Sequence, residues 1–98
     1  MIPSALVGQA EALAAEMTAL RRAIHAEPEL GLHTPLTMAK VRQALADLPL
    51  DWREGPSSSG QVAVLKGGAG SAPGRSVLLR GDTDALPMAE ETGLPFAS

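Results

Sequence analysis

Val77-Leu78-Leu79-Arg80-Gly81-Asp82-Thr83-Asp84-Ala85-Leu86-Pro87 decides the reading of this chain, because here an apolar strand runs directly into two carboxylates. Val77-Leu78-Leu79 lacks the polar alternation of a half-exposed strand and has the pattern of one covered on both faces, central in an α/β sheet. Side chains alternate along an extended backbone, so Asp82 and Asp84 share a side while Thr83 points away. Two like charges in one small volume repel unless a cation, an arginine or a proton neutralises one of them. Ligands in open α/β sheets collect at the carboxyl ends of strands, which is where this pair sits.

Working outward, Ser4 is placed to cap a helix in which Leu6, Ala10, Leu13, Met17, Leu20 and Ile24 recur at spacings of three and four. This predicts one amphipathic helix ending near Ala26 or Glu27, since Pro28 disfavours helical backbone in the residue before it. After the turn Glu29-Leu30-Gly31, Thr34 is placed to cap and Pro35 to open a second helix, with Leu36, Val41, Leu45 and Leu48 as its apolar stripe and Pro49 as its stop. Strands at 50–53 and 61–66, joined by Gly55-Pro56-Ser57-Ser58-Ser59-Gly60, read as a hairpin with a long connection. The Gly-rich piece from Gly67 to Gly74 then leads to the third strand, Ser76 to Arg80. The expected fold class is therefore α/β, two helices and then three strands, forming the N-terminal part of a mixed-sheet catalytic domain that is incomplete on its own.

The chain has 98 residues, which allows one domain and a small core, and only Trp52 and Phe96 are aromatic although 45% of residues are hydrophobic. A net charge of −3 gives no basic footprint for nucleic acid. With no cysteine, neither a disulfide framework nor a Cys-based zinc site is available. There is no secretory signal pattern and no apolar run long enough to cross a bilayer, so the expectation is a soluble cytoplasmic protein without a membrane partner.

Several chemical signals are weak on inspection. His25 falls on the last turn of the first helix, where it would meet the helix dipole and free carbonyls, a structural role favoured over a direct catalytic one, and His33 reads as solvent-facing turn. A phosphate loop over 67–76 fails, because Ala69 and Arg75 stand where its Gly and Lys are needed and a strand follows instead of a helix. Arg80-Gly81-Asp82 spells an adhesion tripeptide but closes a buried-type strand. The pair Asp82 and Asp84 alone leaves three readings open: magnesium-dependent phosphoryl transfer, a shared di-metal hydrolase site, and strand-end solvation.

Longer motifs add specificity. Leu20-Arg21-Arg22-Ala23-Ile24-His25-Ala26-Glu27-Pro28-Glu29-Leu30-Gly31, then Leu79 to Met88, then Glu90-Glu91-Thr92-Gly93-Leu94-Pro95-Phe96-Ala97-Ser98 together resemble the amidohydrolase branch of the M20 metallopeptidase family. That branch includes hippurate hydrolases, N-acyl-amino-acid amidohydrolases and indole-acetyl-amino-acid hydrolases. The resemblance implies a mixed-sheet catalytic domain, a smaller inserted domain that forms a homodimer, and two divalent metal ions, zinc or manganese. It also implies attack of metal-bound hydroxide on the amide of a small N-acyl amino acid, with a glutamate as general base. Asp82 and Asp84 match the positions that related branches fill with a histidine ligand and an aspartate that orients it, which makes both catalytic candidates and favours Asp84 for the orienting role. The branch's Cys-His motif, its glutamate pair and its later histidines are absent from these 98 residues, so no metal is expected to bind this chain tightly. Residues 1–98 thus read as the N-terminal portion of such a domain, inactive alone, without the metal-binding core and dimerisation domain. The alternative is a non-catalytic remnant or interaction module derived from such an enzyme.

Overall fold

A computed structural model describes residues 3–67 and 74–98. Three helices, α1 (Ser4–Ala12), α2 (Ala14–Ala26) and α3 (Pro35–Ala44), precede a two-stranded sheet of β1 (Asp51–Glu54) and β2 (Gln61–Val64). The α/β class stands, with three corrections to the elements.

First, the single N-terminal helix is two. At Leu13 the backbone (φ −90°, ψ −5°) tightens and its N–H bonds back three residues to Ala10 at 3.1 Å, before Met17 resumes the α pattern on Leu13 at 3.0 Å. No residue of α1 is buried, so nothing packs against it to keep the two axes collinear. Leu6, Leu13 and Met17 of the predicted stripe face solvent, and only its end, Leu20 and Ile24, is partly covered. Pro3 rather than Ser4 holds the N-cap position, and no side chain caps the helix. The C-terminus is as expected: α2 ends at Ala26, with Glu27 leaving helical backbone ahead of Pro28.

Second, α3 starts where expected, with Thr34 at the cap and Pro35 in the first turn, but the Thr34 side chain makes no cap bond. The Glu29 carboxylate supplies it instead, accepting the N–H groups of Leu36 at 3.2 Å and Thr37 at 2.6 Å. Gly31 lets the chain double back for this, at φ +71°, a left-handed conformation that costs other residues about 1–2 kcal/mol. The buried residues among those described, Thr34, Thr37 and Met38, lie at this junction. The helix gives way to turns from Leu45, before Pro49.

Third, there is no strand at 76–80. Val77, Leu78 and Leu79 are 89%, 83% and 90% exposed, and among the described residues no strand lies beside them to complete a ladder. The hairpin itself forms as read, antiparallel with Asp51 opposite Val64 and Glu54 opposite Gln61. Its loop is tied to the α2–α3 turn by the Ser59 N–H on the Leu32 carbonyl at 2.8 Å. Arg42 of α3 grips it, bonding Gln61 at 2.6 Å and Glu54 at 2.9 Å with its guanidinium 4.7 Å from the Trp52 ring centre. The expected Gly-rich turn falls at 68–73, outside the described residues, apart from its ends.

The accessible surface is 8397 Å², against about 5,300 Å² for a compact monomer of this mass. The radius of gyration, 16.3 Å, likewise exceeds the roughly 13 Å of a compact chain this long. Much of the apolar sequence is therefore left facing water.

Candidate functional site

A cleft of about 770 Å³ opens between the C-terminal half of α2 and residues 82–90. Leu20, Ile24 and Met88 give it apolar walls, while His25, Asp82, Asp84 and Glu90 bring its chemistry. A second cleft of about 400 Å³, between α3 and the hairpin, holds neither aspartate.

The two sequence-predicted carboxylates line the larger cleft, both exposed. Asp82 has a local partner: its Oδ1 lies 2.9 Å from Nη2 of Arg80, two residues back, in an exposed ion pair. Asp84 lies in no ion pair among the described residues. The next residue anchors the segment, the Ala85 N–H donating to the Glu29 carbonyl at 2.8 Å.

His25 lies on the last turn of α2 as read, yet its partner is not a free helix carbonyl. Its Nε2 is 2.8 Å from Oε1 of Glu90, with the His25 side chain 46% exposed and the Glu90 side chain 18% exposed. Phe96 stands edge-on to the imidazole, ring centres 6.4 Å apart at 65°, and the Arg22 guanidinium sits 4.3 Å from the Phe96 centre. Residues 90–98 are thus held on α2 by a side-chain hydrogen bond and an aromatic contact. Glu90 is the site residue that sequence reasoning missed. It lies 65 residues from His25, and no periodicity marks so distant a partner. His33 is exposed, as expected of turn material.

The hydrogen bond from His25 is the main influence holding the Glu90 carboxyl below its ordinary value of 4.5, with burial opposing it and Thr92 assisting. A carboxyl lowered on folding stabilises the folded arrangement above its unfolded pKa, and that contribution is lost as pH falls through the folded value. Acidification through and below the ordinary carboxylate value should therefore weaken the hold of residues 90–98 on α2. Loss of the ring-current shifts that Phe96 imposes on Arg22 and His25 checks this by NMR, and unchanged shifts below the carboxylate range would contradict it.

Among the described residues no three of His, Cys, Asp and Glu converge into a group able to hold a metal ion. The donors among the described residues do not by themselves fit the two-metal centre that the motifs imply. What the cleft offers is an apolar trough with a carboxylate, Asp84, just ahead of two anchor points, Ala85 on Glu29 and Glu90 on His25.

No family model matches the chain, and no solved structure matches it. Curated relatives do. The N-acetyldiaminopimelate deacetylase of Oenococcus oeni is 39% identical over 84 residues, 85% of this chain and 22% of the relative. That of Listeria innocua is 39% identical over 83 residues, with the same shares, and that of Halalkalibacterium halodurans is 38% identical over 79 residues, 81% of this chain and 21% of the relative. The chain spans about a fifth of the length of these relatives. Over most of its own residues it is a homologue of N-acetyldiaminopimelate deacetylases, and so of the M20-family amidohydrolases whose motifs it carries.

Proposed function

We propose that this chain forms the N-terminal portion of the catalytic domain of a metal-dependent amidohydrolase that cleaves the amide bond of N-acyl amino acids. The observation that carries this reading is the homology: 39% identity across 85% of the chain to a deacetylase of N-acetyldiaminopimelate. An N-acetylated diamino dicarboxylic acid is accordingly the first substrate to try. In this reading the α2 cleft contributes one wall of the substrate region. Asp84 is the carboxylate that orients a reacting-centre partner contributed from outside residues 1–98, and Asp82, already paired with Arg80, supports the segment electrostatically. The two divalent ions of the family, zinc or manganese, would take their ligands mainly from elsewhere, as would the homodimer interface.

The reading is tested with protein expressed from the whole reading frame that contains this segment, assayed for release of free amine from a panel of N-acyl amino acids. Selective hydrolysis of N-acetyldiaminopimelate or a close analogue supports it. An inert, well-folded product would favour instead a non-catalytic module derived from such an enzyme.

A further inference from the structure

Glu29 joins three separate pieces of the chain. Its carboxylate takes two of the open amides of α3, Leu36 on Oε2 at 3.2 Å and Thr37 on Oε1 at 2.6 Å. Its main-chain carbonyl takes the amide of Ala85 at 2.8 Å. A carboxylate gripped by two amides of a helix end has little rotamer freedom left, and the adjoining carbonyl is fixed with it. The junction is also the best-packed part of the molecule, with Thr37 fully buried and Thr34 nearly so. Upstream of Asp84, by contrast, residues 77–79 have no ladder beside them, so the order of this segment comes from the bonds at Ala85 and Glu90.

We propose that Glu29 is the positioning residue for Asp84: its side chain locks onto the first turn of α3, and its carbonyl thereby sets where the residue after Asp84 is held. The consequence for turnover rests on the amidohydrolase reading; the consequence for the geometry does not. Burial pushes the Glu29 carboxyl up, but its contacts with Thr37 and Leu36 and the charge of Lys40 outweigh this and hold it below 4.5, so it is the ionised form that does the gripping. Glu27 makes a natural control. It lies two residues earlier and pairs with Lys40, but it touches neither the α3 amides nor the aspartate segment.

The test compares Glu29→Gln with Glu27→Gln in two readouts. In the 98-residue chain, Glu29→Gln should shift the NMR amide resonances of Leu36 and Thr37 together with those of Asp84 and Ala85, and speed hydrogen exchange at Ala85 by about 10-fold. Glu27→Gln should leave Asp84 and Ala85 where they are. In the whole-frame protein, Glu29→Gln should lower kcat by about 10-fold with KM held within about two-fold, the signature of a misplaced group rather than lost substrate binding. Movement of Leu36 and Thr37 without Ala85 and Asp84 would overturn the proposal, whether or not the whole-frame protein hydrolyses anything. Absence of turnover in the unaltered protein would count against the amidohydrolase reading alone. Should Glu29→Gln prevent folding, Glu29→Asp, which keeps the charge and shortens the reach by one methylene, is read by the same resonances.

Discussion

Asp84→Ala lowers turnover of the whole-frame protein by about 10- to 100-fold, the usual cost of removing a group that orients a metal ligand, whereas Asp47→Ala leaves it within about two-fold. The contrast follows from where the two carboxylates lie. Asp84 lines the α2 cleft on a segment bonded to the helical part at the very next residue. Asp47 lies past the end of α3, exposed in a turn, away from both clefts. Steady-state kinetics of the two variants check the difference, and equal losses would remove the case for the site. Asp82→Ala should be milder than Asp84→Ala, because Asp82 is already engaged with Arg80.

The 98-residue chain by itself should associate as concentration rises, and Leu78→Lys should push that association to about 10-fold higher concentration. Val77, Leu78 and Leu79 are apolar, almost wholly exposed and in no helix or strand, a row of main-chain groups and side chains open to pairing with a strand from another molecule. Leu65, Val62 and Val64 leave more apolar surface open on and beside β2. A lysine in the middle of the row makes pairing of two copies place like charges together. Sedimentation velocity over a concentration series measures the effect. A wild-type chain that stays monomeric throughout, or a Leu78→Lys chain that associates equally, would show that the exposed segment is not what drives contact.

How far the fold was legible varies by element, and the reasons are physical. The end of α2 before Pro28, the Thr34-Pro35 start of α3 and the hairpin around Gly55–Gly60 depend on local rules: proline sterics, turn chemistry and strand pattern. Those rules act within a few residues, and the sequence carries them openly. The break at Leu13 was not legible, since the apolar spacing runs through it and only the lack of packing on α1 lets the turn tighten. The strand at 76–80 was read from a pattern that describes what must cover it, and no such cover exists among the described residues. At the candidate site, Asp82 and Asp84 were singled out by their spacing in sequence, and both line the α2 cleft. The His25–Glu90 contact and the capping of α3 by Glu29 were not, because each joins residues that no local spacing relates. Arg80 beside Asp82 falls between these cases: the two stand only two residues apart, so the contact needs no distant partner.

The central claim is that this segment belongs to an amide-hydrolysing enzyme, and the most direct test is release of free amine from N-acetyldiaminopimelate by protein expressed from the whole reading frame. The expected result is hydrolysis that a chelator abolishes and that added zinc or manganese restores. A folded whole-frame protein that releases no amine from this or any other N-acyl amino acid, with either metal supplied, would contradict it.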